Sequence, residues 1–223
     1  MPEELTLWYD QAYGGPLRIT QEEQAPDSWQ LSHSAWSAHV VIPLPPSHTE
    51  GLIDQLSWEH DKIGAVAPAV MPARDMRDTV LLAARVARGL TLLTQGTAYD
   101  IITQQYLNPS DWQDRSLTSF IAADHVLVAV DDQAKPGAVW CYTLGLSKFG
   151  YDELEMFIPQ GISDRAAKEV LVESVEEVIR SGQSPKVGAS FDLPGSDRTL
   201  TVAHHRTAAP AGRMLGFREL QES

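Results

Sequence analysis

WCYTLGLSKFGYDELEMF, residues 140–157, decides how this chain is read. Two glycines, Gly145 and Gly150, interrupt what otherwise reads as two strands. On a strand, Trp140, Tyr142, Leu144 and Leu146 point one way and Val139, Cys141 and Thr143 the other. The first set is large and apolar, so it is expected to face the helix read over 163–181. Gly145 lies inside the strand, where a missing Cβ admits a bulge or a close backbone. Gly150 ends the connection SKFG, where a positive φ is expected, with Phe149 folded inward and Lys148 at an exposed tip. The glycines are therefore a bend in a sheet before they are a ligand loop. In the strand that follows, Glu153 and Glu155 share a face and read as its wet side, with Leu154, Met156 and Ile158 dry. Together with Lys148 they form the candidate partner or ligand surface.

Outward from this stretch, the second half is well patterned. HVLVAV (125–130) is apolar on both faces, as a central strand should be. Ser163 is a candidate cap for a helix to Ser181 with Gly182 after its end, its buried stripe being Ala167, Val170, Leu171, Val175, Val178 and Ile179. KVGASFDL alternates, and TLTVAHH returns as its hairpin partner after PGSD. The tail from Thr207 is expected to pack loosely.

The first half is less regular. LTLWY, PLRIT and SWQLS are strand-like, and AHVVIPLP is a strand ended by prolines. Ser47 and Glu50 have capping-box spacing ahead of a helix over 48–62. IGAVAPAVMP reads as a strand whose Pro68 argues for an edge position or an early end. Asp75 is a candidate cap for a helix over 75–95 with Met76, Val80, Ala83, Ala84, Ala87 and Leu90 on its buried face. TAYDIIT is a strand, and QQYLNPSDWQDR a polar linker. The class is α+β: antiparallel-rich sheets packed against three main helices, with two ferredoxin-like subdomains as one form of it. The subdomains are 1–105 and 118–206, with a linker at 106–117 and a tail at 207–223; the alternative is one continuous domain. HVVIPL (39–44) and HVLVAV begin the halves alike, which raises a duplication as one reading.

Composition excludes several classes. With 17 Lys and Arg against 30 Asp and Glu, the net charge of −13 repels phosphate backbones, so no nucleic-acid partner is expected. It suits solubility, and equally a basic protein partner. The single cysteine, Cys141, forms no internal disulfide and no cysteine metal site, which points to a reducing, cytoplasmic compartment. No signal-peptide pattern or membrane-length apolar run is present, so no membrane partner is expected.

Catalytic and metal patterns are lacking. His204 and His205 are adjacent on a strand, so they point to opposite faces and share no ion; His204 follows Leu200 and Val202 as an interior histidine. His39 and His125 begin strands, and His48 and His60 lack helical ligand spacing. Glu169, Glu173 and Glu177 read as a solvated helix face. There is no G-x-S-x-G elbow, Walker loop or dinucleotide fingerprint, and Cys141 reads as a buried thiol. No cofactor is expected.

Trp140, Thr143, Gly145, Leu146, Phe149, Gly150, Glu153, Leu154 and Glu155, followed by an amphipathic helix, resemble the motif of an uncharacterised bacterial family, domain of unknown function 4261. The likeness extends over residues 36–182, with its specific part at 140–155. It implies no activity, substrate or cofactor. The leading functional expectation is a non-enzymatic cytoplasmic binding or regulatory protein, one specific form of which neutralises a basic protein partner through its acidic surface. The alternative is an enzyme whose site is assembled from distant strands.

Overall fold

A computed structural model describes residues 2–42, 64–69, 76–193, 197–206 and 216–222. The helix expected over 48–62, its capping box, the Asp75 cap and most of the PGSD turn lie outside the described residues. The class is α+β, with three α-helices among the described residues and mainly antiparallel sheets. The chain divides into two compact units, residues 1–99 with 106–119, and 100–105 with 120–223.

The first unit begins with a helix, α1 (Pro2–Tyr13), rather than the strand-like run expected of LTLWY. Pro2, Glu3 and Glu4 favour a helix start, since a first-turn proline loses no bond and acids complement the dipole. Leu5 and Tyr9, four apart, are then buried together. A four-stranded antiparallel meander follows, β1 (Arg18–Glu22), β2 (Ala25–His33), β3 (Trp36–Val41) and β4 (Ala65–Pro68), in the order β1-β2-β3-β4. The long helix α2 (Met76–Thr94) packs on β3, β4 and α1, and its Gly89 lets Leu5 and Trp8 approach where a Cβ would sit 2.7 Å from each. Being covered on two sides, α2 buries a band displaced from the expected stripe: Thr79, Leu82, Val86 and Gly89 join Val80 and Ala83, whereas Met76, Ala84, Ala87 and Leu90 are only half-buried. Its Arg85 and Arg88 donate to the carbonyls of Leu117, Thr118 and Ser116. Trp112 and Leu117 are buried, so the polar stretch read as a linker contributes apolar side chains to this unit. A short hairpin, β5 (Ala98–Asp100) and β6 (Gln105–Leu107), carries residues 100–105 at its tip.

The second unit is one six-stranded mixed sheet. Its strands are β7 (Leu127–Lys135), β8 (Ala138–Leu144), β9 (Glu153–Pro159), β10 (Ser190–Asp192), β11 (Thr199–Arg206) and β12 (Phe217–Glu222), ordered β10-β11-β12-β9-β8-β7. β12 pairs parallel to β9, and every other pairing is antiparallel. HVLVAV thus starts an edge strand, not a central one. Neither sheet has the ferredoxin-like order, and the two differ in topology. The expected loose tail instead supplies β12, an interior strand. Phe217 and Leu220 are buried on its opposite faces, as an interior position requires.

Helix α3 (Arg165–Ser181) covers one face of this sheet, burying the expected stripe and ending at a left-handed Gly182, φ 71°. The covered face is that of Val139, Cys141, Leu154, Met156, Val202 and Leu220. Burial first, and the Asp164 carboxylate second, push the pKa of the buried Cys141 thiol up. The expectation that Trp140 and Tyr142 face this helix is reversed. Among the described residues of the unit, no helix covers their side of the sheet. Small side chains admit a helix closely, whereas stacked rings would hold it away.

Register in β11 explains a second difference. Val202 pairs with Leu220 and His204 with Glu219, so Ala203 is an extra residue, a bulge. It turns His204 and Arg206 onto the ring face and leaves His204 exposed rather than interior. Deleting Ala203 is expected to keep His204 opposite Glu219 and Arg206 opposite Phe217, because the strand then alternates regularly from Val202 and Arg206 stays on the ring face. Urea titration should then show a loss of about 1 kcal/mol or less.

Candidate functional site

The corner at 145–153 is built around a carboxylate. Gly145 has φ 132°, and a Cβ there would sit 2.4 Å from the His125 carbonyl oxygen, so only glycine fits. A 3₁₀ turn follows over Leu146–Phe149 and closes at Gly150, φ 79°, with the positive φ expected there. The amides of Gly145, Leu146 and Ser147 converge, and such nests bind anions. This one is filled from within. Glu153 accepts from those three amides at 2.9, 3.2 and 3.2 Å and from the Thr143 hydroxyl at 2.8 Å.

Lys148 does not sit at an exposed tip. Its ammonium is largely buried, pairs with the Asp100 carboxylate and donates to the His125 carbonyl at 2.7 Å. His125 is itself buried and stacked on Phe120 at 5.0 Å, so it belongs to a ring cluster with Phe149. Burial works against the Asp100 charge, but the Lys148 charge and hydrogen bond, with the Thr103 and Ile102 amides, outweigh it and hold that carboxyl below its usual range.

A second constellation lies on the ring face. Trp140 and Tyr142 stack at 3.9 Å, and Phe157 continues the row beyond Trp140 at 6.5 Å. Phe217 stands steeply to Trp140 and Tyr142, at 64° and 77°, forming the second wall of an angle. Within it, the Arg206 guanidinium lies 5.2 Å from the Trp140 ring centre and 5.3 Å from that of Phe217. Glu155, fully buried, closes the site. It accepts from Trp140 Nε1 at 2.8 Å, from Arg206 Nε at 2.8 Å and from Arg206 Nη2. Lys135 rests over Phe157 at 5.0 Å. Asp131 lies opposite Trp140 and Glu219 beside Glu155 in the strand register, so both acids share this face.

Asp152 forms a third cluster at the root of β9. It accepts from Arg218 Nε at 2.8 Å and from the Gly216 amide at 3.1 Å, with His205 Nε2 at 3.2 Å.

Of the candidate surface residues, none presents its charge freely. Glu153 and Glu155 are buried at 4% and 0% exposure, a correction of the wet-face reading. The cause is that β9 is interior to the sheet, with rings or a helix on either side. The two acids serve different centres: Glu153 the corner, Glu155 the ring face. Sequence reasoning missed Trp140, Tyr142, Phe157, Phe217 and Arg206 as a group. A usable signal was the i, i+2 aromatic pair in β8 beside an i, i+2 carboxylate pair. Among the described residues, no three His, Cys, Asp or Glu side chains converge to hold a metal, and no helix is long and apolar enough to cross a membrane. An apolar hollow in the first unit, lined by Pro2, Leu5, Ile19, Trp29, Leu31, Val40 and Leu90, presents no ionisable group.

No family model, curated protein or solved structure matches the chain.

Two outcomes are expected. Glu153→Gln replaces an acceptor by an NH₂ facing amide donors, and should cost about 2–3 kcal/mol in urea unfolding. Lys148→Met should cost about 1–3 kcal/mol at neutral pH, because Asp100 stays partly buried without its cation. The depressed Asp100 pKa means that its contribution is complete above the unfolded value near 3.8 and is lost as pH falls through the folded value. The difference between wild type and Lys148→Met should therefore shrink toward pH 2. A difference constant from pH 7 to pH 2 would show that the pair does not contribute.

Proposed function

We propose that this chain is a non-enzymatic cytoplasmic binding protein whose ring face takes a basic segment of a partner protein. The observation that carries the reading is the row Phe157, Trp140 and Tyr142. Two cations of the chain itself, Lys135 and Arg206, already rest on this row and its neighbour Phe217. Aromatic faces attract cations by about 0.5–2 kcal/mol each, more for Arg than for Lys. Trp, Tyr and Arg are also the residues in which binding energy concentrates. Asp131 and Glu219 add negative charge beside the rings, and the chain carries −13 overall, so a basic segment meets attraction at long and short range.

The test uses a ten-residue arginine peptide titrated into the full chain, followed by tryptophan fluorescence at low salt. Binding is expected, weakening as salt rises past about 0.15 M, where the Debye length is about 8 Å. Tyr142→Ala should weaken it about tenfold, and Asp131→Asn less. Glu176→Gln, on the exposed side of α3, should leave it unchanged. Equal binding by Tyr142→Ala and Glu176→Gln variants would mean that the peptide reads only net charge and that the ring face is not the site.

A further inference from the structure

The angle between Trp140 and Phe217 contains a bound cation, and that cation is part of the chain. Its guanidinium touches two aromatic faces and donates twice to a carboxylate that has no access to water. Every feature of a receptor for arginine is present: steep aromatic walls, a buried planar acceptor matched to a two-pronged donor, and an indole N–H that fixes the acceptor's orientation. Yet the Arg206 side chain is 42% exposed while its partner Glu155 is 0% exposed. The arginine is the lid of the pocket and the carboxylate its floor.

We propose that the pocket of Trp140, Phe217 and Glu155 is a guanidinium site, that Arg206 fills it as an internal ligand, and that an arginine of the basic partner takes Arg206's place. This rests on the binding reading above and specifies its central contact. Two observations support exchange over a purely structural pair. Arg206 is the last residue of β11 and stands after the bulge at Ala203. Its side chain lies on the ring face, opposite to the face on which Leu200 and Val202 are packed, so it can leave while they stay in place. Secondly, Glu155 cannot be left uncompensated in a dry site, so an incoming guanidinium is the species that releases Arg206 without stranding a charge. A lysine ammonium offers no matched fork and is the poorer substitute.

Arg206 competes at the high effective concentration of an attached group, so removing it should tighten binding. Arg206→Ala in the full chain is expected to bind the arginine peptide about tenfold more tightly than wild type. It should also bind methylguanidinium, with a rise in melting temperature and a change in Trp140 fluorescence, while methylammonium at equal concentration does neither. The double variant Arg206→Ala with Glu155→Gln should lose the methylguanidinium response. If Arg206→Ala is too unstable to purify, Arg206→Lys serves, with an expected gain in peptide affinity because the lysine is a weaker occupant. A folded Arg206→Ala protein indifferent to methylguanidinium would overturn the guanidinium site, whatever the wild type does with the peptide. Methylguanidinium binding by Arg206→Ala, with no peptide binding by either protein, would keep the pocket but overturn the exchange and the partner reading together. Weaker peptide binding by folded Arg206→Ala would make Arg206 a direct contact and overturn exchange alone.

Discussion

A carboxylate removed from water must be given donors, and β9 buries two. Glu153 and Glu155 lie two residues apart on one face of an interior strand, and each has organised what surrounds it. Around Glu153 the chain folds back so that three consecutive amides point inward, which requires the φ of 132° that Gly145 supplies and the left-handed exit at Gly150. Around Glu155 the donors come from further away: an indole on β8 and a guanidinium at the end of β11. The strand is interior, so neither acid can escape to solvent, and the bend, the bulge and the ring row all answer that constraint.

The bulge shows how one residue divides two roles within a strand. Up to Val202, β11 is a core strand with its alternate side chains under α3. After Ala203 the same alternation is shifted, and His204 and Arg206 emerge on the ring face while His205 turns to Asp152. Asp152 and Glu155, three residues apart on and beside β9, thus hold β11 through His205 and Arg206, and β12 through Gly216 and Arg218. The parallel β9–β12 pairing is reinforced by these charge-assisted bonds, which are roughly twice as strong as neutral ones.

The legible parts of the sequence were those with a single dry face. The buried stripe of helix α3 and its end at Gly182 were legible because the stripe faces one sheet and the other side faces water, although the residue at its N-cap is Asp164 and not Ser163. The corner was legible as a bend because glycine at 145 and 150 has a local backbone reason. Legibility failed where burial came from both sides. α2 is enclosed by α1 and the sheet, so its buried band is displaced from the expected stripe. β9 places acids on a dry face, which strand alternation alone reads as wet. The register of β11 turns on a bulge with no sequence signature, since Ala203 is neither glycine nor proline. α1 was misread because LTLWY suits a strand by composition, while its helix follows from Pro2, the first-turn acids and tertiary burial of Leu5 and Tyr9. The ring site was illegible as a site for a related reason: its members come from β8, β9, β11 and β12, and only topology brings them together.

The proposed competition within the ring pocket would also constrain what kind of partner the face can serve. An attached arginine acts at millimolar or higher effective concentration, so a free ligand making only the same contacts stays outside. A partner must therefore gain elsewhere what it loses in displacing Arg206. The outer rings and acids provide that margin: Tyr142 beside the pocket, Phe157 along the row, and Asp131 and Glu219 on the flanking strands. Each adds on the order of 1 kcal/mol, and several must act together. If the proposed exchange operates, isolated arginine would be excluded while a segment with several cations at strand spacing would be admitted. Selectivity would then come from the number and spacing of charges rather than from the pocket alone.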